Sequence, residues 1–111
     1  MEIPTERNGN TLILIPGGRI DGQNALQFQS EINGAINDSD NAVILQLNNL
    51  TYISSAGLRV ILLLAKTLRS RNIKFGMCEI SHTVKDVFEI SGFSKIIPTH
   101  NSRDEAIAAV V

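Results

Sequence analysis

The sequence lacks several features that define whole classes of protein. It contains no tryptophan and only one cysteine, so no internal disulfide can form. No signal peptide precedes the first predicted strand, and we therefore expect a reducing cytoplasm as the location. The longest apolar run, Val60 to Ala65, is far shorter than the roughly 20 residues of a membrane-spanning helix. Direct insertion into a membrane is not expected.

Charge and motif content exclude further classes. The chain carries 10 basic and 11 acidic residues and has no basic cluster, which excludes a nucleic-acid footprint. Two histidines, His82 and His100, lack the spacing of metal ligands, and no phosphate-binding or dinucleotide-binding glycine motif is present. We therefore expect neither a metal nor another cofactor. A length of 111 residues predicts one domain, residues 1–111.

Strand-like and helix-like segments alternate along the chain, which predicts an α/β domain with a mixed sheet and helices mainly over one face. Residues 2–7 suit an edge strand or an arm, and Pro4 argues mildly against strand-to-strand dimers, so we expect a monomer or a weak dimer. The predicted strands that follow cover residues 11–15, 42–47, 73–78 and 95–97. The predicted helices follow Asn24, cover residues 55–70 and 81–90, and follow Ser102. Cys78 is expected in the core.

The segment from Leu50 to Ala65 carries most of the functional argument. A strand and a polar turn with two serines lead into a long apolar helix. Its predicted inward stripe consists of Leu58, Ile61, Leu62, Ala65 and Leu68. Other positions of the same helix are also apolar, so its first turns are either deeply buried or face another protein.

Ser54 and Ser55 lie at the N-terminus of that helix, where backbone N–H groups are unpaired and the helix dipole is positive. A phosphate on Ser55 would find donors there, and the small residues Ala56 and Gly57 leave room for a partner's active site. The plainer interpretation is that one serine only caps the helix and stabilises it by about 1 kcal/mol. The residues alone favour this second interpretation.

The segment Tyr52–Leu62, preceded by the strand Ala42–Leu47, resembles the signature of the STAS domain, the anti-sigma-factor antagonist family. Ser55 aligns with the phosphoacceptor of that family and Ser54 with its aspartate. Gly18–Asp21 resembles the family's early Gly-x-Leu/Ile-Asp motif. The stretches Val84–Phe93 and Ile96–Pro98 resemble its late helix and last strand. The resemblance extends over nearly the whole chain.

The resemblance implies a single STAS-type domain with four to five strands and about four helices. It also implies a non-catalytic regulator that binds a serine-kinase anti-sigma factor, is released by phosphorylation of Ser55, and is reset by a serine phosphatase. Docking would use the 52–64 segment and the loop of Asp21. The expected partner-contact residues are Asp21, Tyr52, Ser54, Ser55, Ala56, Gly57, Arg59, Val60 and Leu63.

Departures from the family pattern leave alternatives open. Ser54 replaces the aspartate, Gln46 replaces a frequent aspartate of the central strand, and Asn48 replaces a frequent serine. A chain with these changes could act without phosphorylation, as an adaptor or regulatory subunit of a membrane transport system.

A small hydrolase is a third alternative. It would use Ser54 or Ser55 with a histidine and a carboxylate such as Asp21 or Asp86. The Gly-x-Ser-x-Gly elbow of such enzymes is absent, which argues against it.

Overall fold

The computed structural model describes residues 3–110, apart from the Ser94 side chain, so Glu2 of the predicted first strand lies outside the described residues. Strands and helices alternate within this range. The strands are β1 (Thr5–Asn8), β2 (Thr11–Leu14), β3 (Gly18–Ile20), β4 (Ala42–Gln46), β5 (Leu50–Ile53), β6 (Lys74–Cys78) and β7 (Thr99–His100). The helices are α1 (Ala25–Ala35), α2 (Ser55–Ser70), α3 (His82–Ile90), α4 (Phe93–Ile96) and α5 (Arg103–Val110).

Five strands form a mixed sheet in the order β1-β2-β4-β6-β7. Only β1 runs antiparallel to its neighbour, because a short turn joins it to β2, whereas the other pairs are parallel and need crossover helices. Strands β3 and β5 pair in parallel as a separate two-stranded sheet. The predicted α/β class and the mixed sheet are confirmed.

The two faces of the main sheet are covered unequally. Along β4, Val43 and Leu45 point into a large core with residues of α1 to α4, while Ile44 points to the opposite face, where α5 lies. This arrangement confirms the prediction that the helices pack mainly on one face. Strands β3 and β5 are both anchored in this core, because their last residues, Ile20 and Ile53, are fully or nearly fully buried in it.

The face of the main sheet opposite the large core is covered by α5. A polar network lies at the start of this helix. Arg103 donates two hydrogen bonds to the Glu6 carboxylate, at 3.0 and 2.9 Å, and one to Gln46 Oε1 at 2.7 Å. The hydrogen bonds from Arg103 lower the pKa of Glu6. Cys78 lies beneath this helix, and burial raises the pKa of its thiol to about 11, which confirms the prediction of a core cysteine.

The predicted strand over residues 95–97 is wrong. Gly92 adopts a left-handed conformation (φ 77°), and the chain then forms the one-turn helix α4, which brings Phe93 against Phe88 at 5.7 Å between ring centroids. Ile97 is extended, as the residue before a proline prefers, and strand pairing begins only beyond Pro98. The strand exists, but it starts at Thr99.

Helix α2 spans the predicted range, but its buried face differs from the predicted stripe. The buried residues are Gly57, Val60, Ile61, Leu64 and Leu68, whereas Leu58, Leu62 and Ala65 are only half-buried. Spacing alone did not show that α2 packs against both the sheet and α1. These two contacts rotate the helix so that the Val60–Leu64 edge turns inward.

Candidate partner-binding site

Ser54 and Ser55, in the turn between β5 and α2, have different roles. Ser54 is the N-cap: its backbone is extended and its Oγ accepts a hydrogen bond from Gly57 N at 3.4 Å. Its carbonyl accepts the first helical bond, from Leu58 N at 2.9 Å. Ser55 is the first helical residue and is exposed. Because Ser54 supplies the cap, the helix does not need the Ser55 hydroxyl.

The loop after β3 lies directly beside the serine turn. Ser54 N donates a hydrogen bond to Ile20 O at 2.8 Å, so Asp21 follows immediately after a residue bonded to that turn. The Asp21 carboxylate accepts from Gln23 N at 3.0 Å, and Asp21 N donates to Asn24 Oδ1 at 2.9 Å. These bonds close a tight turn around the half-buried carboxylate, next to the residue that bonds to Ser54.

Gly57 allows α2 to begin close to the two-stranded sheet. A Cβ at this position would lie 2.7 Å from Ile53 Cγ1 and 2.8 Å from Ile20 Cγ2, both in the core. These distances are shorter than any ordinary carbon contact, and branched core side chains cannot move aside without cost. The glycine therefore fixes the distance of the serine turn from β3 and β5.

We expect Gly57→Ala to lower the free energy of unfolding by about 1–3 kcal/mol through overpacking. Gly34→Ala in α1 is the matched control, because its Cβ would meet nothing within 4 Å. The control should stabilise the protein by about 0.5–1 kcal/mol, as alanine does in helices. Urea unfolding of both variants measures the difference. Equal effects of the two substitutions would contradict the close approach at Gly57.

An exposed surface surrounds Ser55. Tyr52 and Leu63 each retain 42% of their accessible surface, and Arg59 is exposed one turn after Ser55 on the same side of α2. The Arg19 guanidinium stacks on the Tyr52 ring at 4.3 Å from its centroid. Leu26, in the first turn of α1, is 80% exposed. The site thus combines apolar side chains with two arginines, and the Arg19 guanidinium also lies 3.8 Å from the Asp21 carboxylate.

The predicted contact residues divide into two groups. Asp21, Tyr52, Ser54, Ser55, Ala56, Arg59 and Leu63 are half-buried or exposed. Gly57 and Val60 are buried in the free chain, and their contact with a partner stays a prediction. Val60 faces α1, where it lines a small cavity with Gln29 and Ile32. Both residues support the site from beneath.

Sequence reasoning missed Arg19 and Leu26. The pairing of Arg19 with Tyr52 depends on the register of β3 against β5, which local patterns do not encode. An isolated exposed leucine in an amphipathic helix gives no signal of its own, since single exposed apolar residues are common. Leu26 lies on α1, and the packing of α1 beside α2 is a tertiary contact that local patterns do not show.

Within residues 3–110, no group of histidine, cysteine and acidic side chains is arranged to hold a metal ion. No helix among the described residues is both long and apolar enough to span a membrane.

Comparison with known proteins identifies the class of protein. The family model of the STAS domain matches residues 2–106. The chain belongs to the STAS domain family.

Two relatives narrow the class further. The chain is 41% identical over 109 residues to BtrV of Bordetella bronchiseptica, which is assigned by name to the anti-sigma factor antagonists, with 98% of this chain and 94% of BtrV covered. It is 25% identical over 108 residues to the anti-sigma F factor antagonist of Paenibacillus polymyxa, covering 96% and 92%. The homologues are thus named as anti-sigma factor antagonists.

Solved structures agree on the fold. TM1081 of Thermotoga maritima superposes with a TM-score of 0.90 at 23% identity, covering 97% of this chain and 93% of that one. SpoIIAA in its unphosphorylated form gives a TM-score of 0.79 at 23% identity, covering 97% and 95%. Its phosphorylated form, from Bacillus, gives 0.68 at 20% identity, covering 98% and 99%.

Proposed function

We propose that this chain is a non-catalytic, partner-switching regulator. In its unmodified form it binds an anti-sigma factor that is also a serine kinase, and phosphorylation of Ser55 by that kinase releases it. The observation that carries the proposal is the exposed Ser55, which Ser54 frees from capping, at the N-terminus of α2. The chain's similarity to relatives named anti-sigma factor antagonists supports the same function.

The surface around Ser55 suits a protein partner in the unmodified state. Tyr52, Leu63 and Leu26 supply apolar area, and Arg19 and Arg59 supply hydrogen-bond donors for carboxylates on the partner. The Ser55 hydroxyl is small and neutral, so it can be covered at little cost. A kinase active site could reach it because Ser55 is exposed and the small residue Ala56 follows it in the chain.

Phosphate on Ser55 would make this surface unfavourable for the same partner. It adds a charge of about −1.5 to −2, which must lose water if the apolar contact is kept. Acidic groups that pair with Arg59 in the complex would then face a dianion. At the same time, the unpaired N–H groups of the first turn of α2 would stabilise the phosphate in the free protein. Both effects favour release, and a serine phosphatase would restore binding.

The absence of the family aspartate does not remove this mechanism. Ser54 performs the capping that an aspartate at this position could perform, so the helix still begins at Ser55. The half-buried Asp21 carboxylate stays beside the turn and gives the kinase an acidic neighbour to recognise. Ser54 therefore changes the charge of the loop and preserves its geometry.

Peptide mapping of the protein from its native cells tests the proposal. We expect an increase of about 80 Da, the mass of one phosphoryl group, on the peptide that contains Ser54 and Ser55, with fragment ions that assign it to Ser55. Ser55→Ala should abolish the modification, and Ser54→Ala, which removes only the cap, should retain it. If no phosphate is found across growth and stress conditions, the unphosphorylated adaptor becomes the better account.

A further inference from the structure

A groove lies at the far end of α2 from Ser55. Its walls come from Ala65 and Arg69 of α2, from Phe75 of β6 and from the segment 96–98, and its volume is about 370 Å³. Ala65 and Arg69 are ten and fourteen residues beyond Ser55, which corresponds to roughly 15–21 Å along the helix axis. The groove is therefore separate from the candidate partner-binding site.

The backbone of β6 is only partly paired at this edge of the sheet. In a parallel strand, alternate residues bond to the neighbour on either side. Lys74 N donates to Asn41 O on the β4 side, and Met77 N donates to Pro98 O on the β7 side. Phe75 is two residues before Met77, so its N–H and C=O point to the same side of β6 as those of Met77. This is the β7 side, where the groove opens.

No strand residue meets Phe75 there. Strand β7 begins at Thr99, and Pro98 has no N–H that could bond to the Phe75 carbonyl. Within residues 3–110, the Phe75 N–H and C=O form no backbone hydrogen bond on this side. Phe75 is half-buried, so these two groups form a short open edge beside an apolar groove.

The lining of the groove favours one kind of occupant. Ile96 is 48% exposed and, with Ile97 and Ala65, provides an apolar wall for an inserted side chain. Arg69 and Lys74 are among the lining residues, and no acidic residue is. Unpaired backbone groups select an extended chain, the apolar wall selects a hydrophobic side chain, and the cations select an acidic neighbour.

We propose that this groove is a β-augmentation site for an extended, acidic and apolar peptide segment of a partner protein. The segment would take the place of a longer β7, accept a hydrogen bond from Phe75 N–H and donate one to its C=O. One apolar side chain would pack on Ile96, and one carboxylate would pair with Arg69. The site does not include Ser55.

Amide exchange and NMR titration of the whole protein test this proposal with defined probes. The probes are acetylated pentapeptides of alternating valine and glutamate, and a matched series of valine and lysine. We expect the glutamate series to shift the resonances of Phe75 and Ile96 saturably and to slow exchange of the Phe75 amide by about ten-fold or more. The lysine series should bind more weakly.

Two controls separate strand addition from general apolar binding. An N-methylated glutamate peptide cannot make the backbone bonds, so it should lose the effect on Phe75. Arg69→Gln should weaken binding of the glutamate series by about two- to five-fold, as for an exposed ion pair, and Lys66→Gln on the same helix should not. The proposal is overturned if neither series shifts Phe75, if the N-methylated peptide binds equally, or if the Phe75 amide is already protected in the free protein.

Discussion

Ser55→Asp is expected to weaken binding of the partner kinase by at least about ten-fold, or about 1.4 kcal/mol, whereas Ser55→Ala retains the affinity. The aspartate places a charge in the centre of a contact that otherwise covers a neutral hydroxyl. No new interaction offsets the free energy that desolvation of this charge costs. Alanine removes one small exposed group only. The partner for this titration is the proposed serine kinase, which would be isolated by copurification with the unphosphorylated protein.

The controls for this prediction concern charge and stability. Ser39→Asp adds the same charge in the exposed loop before β4, at the other end of the sheet, and should leave the affinity unchanged. Ser55→Asp itself should not unfold the protein, because an acid at the first turn of a helix is stabilising by about 0.3–1 kcal/mol. Equal affinities of Ser55→Asp and Ser55→Ala would show that Ser55 lies outside the contact.

Ile61→Ala is expected to lower the free energy of unfolding by about 2–5 kcal/mol, because Ile61 is fully buried and its removal leaves a cavity. Leu62, the next residue, was part of the predicted stripe but is only half-buried, so Leu62→Ala should cost less than about half as much. Both substitutions occur in the same turn of α2, so differences in helix propensity are small.

Urea unfolding monitored by circular dichroism measures both values. The order of the two variants is more informative than either magnitude, since it reports which side of α2 faces the core. A larger loss for Leu62→Ala would mean that α2 is rotated towards the predicted stripe. In that case Val60 would be accessible to a partner.

Much of the fold follows from local sequence patterns. The run Ala42–Leu47 predicted a central strand, and β4 is buried at every position. The two serines before an apolar run predicted the start of α2 at Ser55, because capping chemistry is local. Ser102 likewise caps α5, with its Oγ accepting from Glu105 N at 3.1 Å. Each of these features depends on residues within one or two turns of each other.

The predictions that were wrong concern features that depend on residues far apart in the sequence. The face of α2 depends on α1 and on Ile20 and Ile53, which meet Gly57 from other parts of the chain. The end of α3 lacked a local signal for a second short helix, and contact between Phe93 and Phe88 favours it. Ser81 occupies the N-cap position of α3, but its hydroxyl makes no capping bond and donates to Leu50 O at 2.7 Å instead.

The candidate site also combines features set by neighbouring residues with features set by distant ones. The position of Ser55 was predictable from its own turn, whereas the stacking of Arg19 on Tyr52 joins residues of two different strands. In the sequence, Gln46 is only a departure from the family pattern. The structure shows that it accepts a hydrogen bond from Arg103, 57 positions away, and so helps to hold α5 on the sheet.

The most direct test of the central claim compares the affinity of the partner kinase for the protein phosphorylated on Ser55 with its affinity for the same sample after phosphatase treatment. We predict that phosphate lowers the affinity by about 100-fold or more, or about 2.7 kcal/mol, and that phosphatase treatment restores it fully. Identical affinities before and after removal of the phosphate would contradict the proposal that Ser55 is the switch.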